Sequence, residues 1–114
     1  MTRIFLFIFL SISAISIAQN TAKNEYLLAE NYYREGEYEK ATQVYKKLYS
    51  ASPFNTAYLS RLISCYQETE QFYNAENLLK SRIRANKSQA YLYIYLGYNY
   101  ERQQQNELAK ENYE

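Results

Sequence analysis

One pattern in this 114-residue chain returns at a constant offset of 34 positions, and that periodicity restricts the fold more than any single motif does. Leu28, Ala29, Tyr32, Gly36, Tyr38, Ala41, Tyr45 and Pro53 set it; Leu62, Ile63, Tyr66, Phe72, Ala75 and Leu79 repeat it; Leu96, Gly97, Tyr100, Ala109 and Tyr113 repeat it again. Ala41, Ala75 and Ala109 therefore stand in register. Self-similarity of this length marks a stack of supersecondary units, each too small to bury its own apolar face. The units run 22–55, 56–89 and, partially, 90–114.

Within a unit the apolar residues recur at helical spacing, with no strict alternation. Leu28, Ala29, Tyr32 and Tyr33 form one stripe that ends at Gly36, and Tyr38, Ala41, Val44, Tyr45, Leu48 and Tyr49 form a second that ends before Pro53. Spacing of i, i+3, i+4, i+7 is that of an amphipathic helix, so each unit reads as a helical hairpin. Gly36 suits a left-handed turn because it has no Cβ to clash. Pro53 cannot extend the helix before it. The recurring alanine allows two helices to approach closely. Ala75 is expected to be buried and its neighbour Glu76 exposed.

The period, a leucine followed by a small residue, a tyrosine three further on, then alanine, an aromatic four on and a proline, resembles the tetratricopeptide repeat. Unit one carries Leu28, Ala29, Tyr32, Ala41, Tyr45 and Pro53, with Glu25 where that family prefers tryptophan. Unit two departs from the pattern, with Ile63 for the small residue, Leu79 for the aromatic, Glu70 for the turn glycine and Lys87 for the proline. Unit three has Tyr93 at the tryptophan position, then Leu96, Gly97, Tyr100, Ala109 and Tyr113. The resemblance implies an all-α fold, an α-solenoid of hairpins from residue 22 onward. It also implies that the first helix of each hairpin lines a concave groove.

Residues 1–18 have a different composition. Arg3 supplies a short positive end, Ile4 to Leu10 is continuously apolar, and Ser16 and Ala18 are small at two-residue spacing. This is the pattern of a secretory signal peptide cut between Ala18 and Gln19, leaving an array over 19–114 that is exported to a periplasm, a cell envelope or the medium. The rival reading is a retained anchor. As a helix, Ile4 to Ala18 would span ~22 Å, short of a ~30 Å hydrocarbon core. No membrane span is expected after cleavage.

Charge and composition narrow the function classes. The chain has 13 basic and 12 acidic residues, and loss of Arg3 would leave it neutral, against the basic stripe expected of a nucleic-acid binder. Lys80, Arg82, Arg84 and Lys87 cluster at the end of the fourth helix, where cations favour the helix dipole, a reading preferred to a phosphate site. There is no histidine and no aspartate, which removes Ser-His-Asp and Cys-His systems and the usual zinc sets. Glu35, Glu37 and Glu39 flank a turn and read as solvated charge rather than an acid/base pair. Cys65, the lone cysteine, lies among Leu62, Ile63 and Tyr66 and reads as a shielded packing residue. No catalytic residue, metal site or cofactor is expected.

Surface recognition remains. The resemblance assigns groove positions to Lys23, Tyr26, Glu30, Tyr33 and Arg34 in unit one, Ala57, Ser60, Ser64, Gln67 and Glu68 in unit two, and Tyr91, Ile94, Tyr98, Glu101 and Arg102 in unit three. Of these, Tyr26, Glu30, Tyr33, Arg34, Tyr91, Ile94, Tyr98 and Arg102 are the candidate partner-binding residues. Some members of the family hold a chaperone's terminal carboxylate with lysine, asparagine and arginine at several places on this helix; the corresponding residues here include Tyr26, Glu30, Arg61, Tyr91 and Tyr95, so that clamp is missing. The fifth helix, 90–102, holds too many tyrosines for one face, and tyrosine is enriched at recognition surfaces. A second helix of unit three is expected to begin at Glu107, with the array continuing in a longer protein. A non-catalytic scaffold that docks a peptide or protein is the favoured function; a sensory or assembly module coupled to an enzymatic or membrane output is the alternative.

Overall fold

The protein is described by a computed structural model covering residues 2–113, with side chains described for residues 17–111. Five helices follow one another: α1 Thr2–Arg34, α2 Tyr38–Ala51, α3 Thr56–Glu68, α4 Phe72–Ala85 and α5 Ala90–Tyr113. No strand occurs among the described residues. Consecutive helices pack on each other, and α3 also meets α5. The side chains of residues 1–16, hence most of the segment expected to be a signal peptide, lie outside the described residues. The helix itself runs unbroken through Ala18 and Gln19, where the Thr21 hydroxyl donates to the Ile17 carbonyl at 3.0 Å.

Local structure repeats with the sequence. After α1 the chain reverses through Gly36 at φ 76°, with Gly36 N–H donating to Tyr33 O and Glu37 N–H to Tyr32 O. After α3 it reverses through Glu70 at φ 57°, with Glu70 N–H donating to Gln67 O and Gln71 N–H to Tyr66 O. Every partner is displaced by one period. The C-terminal bond of α2, Ser52 N–H to Leu48 O, returns as Asn86 N–H to Arg82 O in α4. The two turns thus close their helices with the same bonds, and the helices pack in a repeat-like manner. Asn55 caps α3, its side-chain oxygen accepting from Tyr58 N–H at 3.1 Å.

The core follows the stripes. Ala29, Ala41, Tyr45, Leu48, Leu59, Leu62, Ile63, Cys65, Tyr66, Ala75, Leu79 and Leu92 form one buried cluster. Ala41 and Ala75 have no exposed surface, as the need for close helix approach requires. Two expectations fail. Leu28 is 44% exposed although its equivalent Leu62 is only 2% exposed, because α3 packs between α2 and α4 while α1 packs chiefly on α2. Glu76 is not free on the surface: it accepts from the Tyr100 hydroxyl at 2.8 Å and pairs with Lys80 at 2.7 Å.

The largest departure is in the third unit. The expected second helix from Glu107 does not separate, because α5 is continuous from Ala90 to Tyr113 and leaves Ala109 exposed rather than buried like Ala41 and Ala75. Gln104, one period beyond Glu70, stays helical. It lies among glutamine, glutamate, alanine and lysine, all good helix formers, with no glycine to favour a left-handed turn. A further tie holds the extension against the turn between α3 and α4, the ion pair of Lys110 with Glu70 at 2.9 Å. The face of α5 that an unfolded-back second helix would have covered is therefore open. Tyr93 and Tyr100 are 48% and 43% exposed, whereas Leu59 and Tyr66 at the same positions of α3 are 1% and 8% exposed.

Candidate recognition surface

A trough runs between α3 and α5. Its deeper part is a depression of about 110 Å³ lined by Ser60, Ile63, Ser64, Gln67, Tyr95 and Tyr98. It is continuous, through the shared Ser60 and Tyr95, with a shallower hollow of about 400 Å³ lined also by Thr56, Ala57 and Tyr91. Helical spacing explains the lining. Tyr91, Tyr95 and Tyr98 follow at i, i+4 and i+7 on one face of α5, and Ser60, Ser64 and Gln67 do the same on α3. The Tyr91 and Tyr95 rings meet edge to face, 5.6 Å apart at 78°. The floor is held by a buried relay: Gln67 donates to the side-chain oxygen of Asn99 at 3.3 Å, and Asn99 donates to the Phe72 carbonyl at 3.0 Å. An unpaired amide there would cost stability, so the relay fixes the spacing of α3, α4 and α5.

No carboxylate, lysine or arginine lines the trough, and the charges at its borders pair with one another. Arg102 of α5 reaches Glu68 of α3 at 3.5 Å. Nearer α1, Arg61 clasps both oxygens of Glu30, at 2.8 and 3.2 Å, while the Tyr45 hydroxyl also donates to Glu30. Burial alone would raise the Glu30 pKa, but the hydrogen bonds from Arg61 and Tyr45 and the Arg61 charge outweigh it and hold the carboxyl below its ordinary value. The Arg61 guanidinium in turn lies over the Tyr33 ring, 4.3 Å from its centre.

The candidate residues therefore divide into two groups. Tyr91 and Tyr98 line the trough, together with Ala57, Ser60, Ser64 and Gln67, although the Gln67 amide is taken up by Asn99. Arg102 borders it. Ile94 is 69% exposed and lines neither depression. The unit-one candidates lie apart: Tyr26 packs on Tyr45 and Tyr58, Tyr33 on Tyr38, and Arg34 donates to Asn31. Glu30 is committed to Arg61. Tyr95 was named from sequence only at a position of the missing carboxylate clamp and not among the candidate partner-binding residues, although its place four residues after Tyr91 would have found it.

Other clusters do not assemble. Lys80 turns to Glu76, while Arg82 lies over the Phe54 ring at 5.1 Å, so the basic group at the end of α4 has no common focus. Glu37 meets Lys40 at 3.5 Å on an exposed turn. Cys65 is buried, and burial pushes its thiol pKa up to about 11. Among the described residues, no group of histidine, cysteine, aspartate or glutamate could hold a metal ion, and no helix is long and apolar enough to cross a membrane. Comparison with known proteins adds no relative: no family model, no curated protein and no solved structure matches this chain.

Proposed function

We propose that the chain is a tetratricopeptide-type scaffold, exported by its N-terminal segment, that binds a peptide or protein through the face formed by α1, α3 and α5 and carries out no chemistry. The trough between α3 and α5 is the observation that carries this reading. Two helices one period apart present tyrosine and serine side chains into one open depression on a framework held by the Gln67–Asn99 relay. Large amphipathic side chains on rigid helices are what a binding surface needs, since little conformational entropy is lost on contact. Export rests on Arg3 and the apolar run from Ile4 to Ala18.

A second reading draws on the open face of α5. Tyr93 and Tyr100 occupy positions whose equivalents in α3, Leu59 and Tyr66, are buried, so another helical element could be received there and the chain would serve as an assembly module. The two readings separate by mutation. Capture of a partner by the full chain, followed by mass spectrometry, should be weakened by Tyr98→Ala in the trough and spared by Tyr93→Ala on the open face. Unchanged capture by the Tyr98 variant would sink the groove reading, and loss with the Tyr93 variant alone would favour the assembly module.

A further inference from the structure

Resting on the export reading, we infer that Gln19 is a modification site: once the chain is cut after Ala18, the new N-terminal glutamine closes into a pyroglutamyl ring, and the mature array begins with a blocked, uncharged end. The residues on both sides of the cut are accessible. Ile17, Ala18, Gln19 and Asn20 are all exposed, and Ala22 is the first described residue of α1 that is not. Ala22 and Glu25 share a hollow with Leu48, Ala51 and Tyr58, and Glu25 pairs with Lys47 at 2.6 Å. These contacts lie on the C-terminal side of the cut.

The residues after the cut leave Gln19 outside the shortened helix. In the intact chain the Thr21 hydroxyl donates to the Ile17 carbonyl at 3.0 Å; the cut removes Ile17 and releases that hydroxyl. Asn20 and Thr21 are both residue types that cap a helix N-terminus, by accepting from a backbone N–H two or three positions on. A helix that starts at such a cap leaves Gln19 with the unrestrained torsions of a chain end. Its α-amine and its side-chain amide are then one five-membered ring apart, and attack within a single residue needs no encounter.

Charge at this end favours the closure. An α-ammonium on Gln19 would stand at the positive end of the α1 dipole with Lys23 in the first turn, and residues 19–24 contain no carboxylate to answer it. The first acid, Glu25, is taken up by Lys47. These surroundings disfavour the ammonium, so more of the amine is in its neutral, nucleophilic form. The step balances without a co-reactant. The amine nitrogen bonds to the side-chain carbonyl carbon, the bond from that carbon to the amide nitrogen breaks, and one amine proton leaves with that nitrogen as ammonia. The lactam is neutral, which removes the repulsion at the helix end, and it offers no free amine to an aminopeptidase.

The test expresses the full chain in a secreting bacterial host and follows the exported protein after prolonged incubation in neutral buffer. Mass spectrometry of the N-terminal peptide is expected to find a chain that begins at residue 19 and is lighter by one ammonia, and Edman degradation should stop at its first cycle. Pyroglutamyl aminopeptidase should remove that residue and open the chain at Asn20. Gln19→Ala should be cut at the same bond, carry a free amine and be trimmed by a general aminopeptidase that leaves the parent intact. A parent whose Gln19 amine stays free, or trimming of parent and variant alike, overturns the inference and leaves the export reading standing. A parent cut at another bond, or exported with residues 1–18 still attached, does the same. One that stays in the cytoplasm overturns the export reading too.

Discussion

Gly36 and Glu70 adopt the same left-handed backbone one period apart, at φ 76° and 57°, and each ends its helix with the same pair of hydrogen bonds. Glycine takes this conformation freely, whereas a residue with a Cβ takes it at a cost of about 1 kcal/mol. The second turn is thus built from the less suitable residue and is strained relative to the first.

Glu70→Gly should therefore stabilise the fold by about 1 kcal/mol, raising Tm by several degrees in a domain of this size. Loss of the exposed Lys110 pair offsets little of it. Gly36→Ala should do the opposite: a Cβ there meets nothing within 4 Å, so the penalty is conformational alone. Thermal unfolding followed by far-UV circular dichroism reads both, and a fall in Tm for Glu70→Gly would contradict the equivalence of the turns.

Ala75 tests the helix spacing. It has no exposed surface, so Ala75→Leu should overpack the second hairpin and cost ~1–3 kcal/mol. Asn77→Leu, on the exposed side of α4, should stay within about 0.5 kcal/mol of the parent. Glu76→Leu is a poor control, because Tyr100 and Lys80 both bond to that carboxylate; it should lower Tm measurably. Equal shifts for Ala75→Leu and Asn77→Leu would mean that the helix phase is wrong.

What the sequence made legible follows from where the pattern is physical. Apolar spacing and the phased alanines located the hairpins of α1 to α4, because burial enforces both. Tyr91 and Tyr98 were assigned to a groove by the resemblance to a repeat family, and both line the trough. The continuity of α5 was hidden, since Ala109 keeps the register of Ala41 and Ala75 while Gln104, which decides whether the chain turns, carries no strong signal in either direction. The Arg61–Glu30 pair was hidden for another reason: the residues are 31 positions apart, and only tertiary packing joins them.

Cys65 offers a test of the core between α2 and α3. Its side chain is fully buried and its pKa stands at about 11, because burial disfavours the thiolate. A disulfide-exchange reagent reacts with the thiolate, so modification in native buffer near neutral pH should be slower than in denaturant by about two orders of magnitude or more. Comparable rates would show that the interface between the two hairpins opens readily.

Glu30 should contribute to acid sensitivity, and its sign is set by the lowered pKa. A carboxylate whose folded pKa lies below its ordinary value of 4.5 adds stability that is complete above that value and is lost as pH falls through the lower, folded one. Glu30→Gln removes the charge that Arg61 and Tyr45 hold, so the variant should be less stable than the parent near neutral pH, with the gap closing as the pH falls below 4.5 and through the lower, folded pKa. Urea midpoints measured across that range decide it. A gap that stays constant with pH would mean that the Arg61 contact does not favour the ionised form, and that Glu30 acts through packing alone.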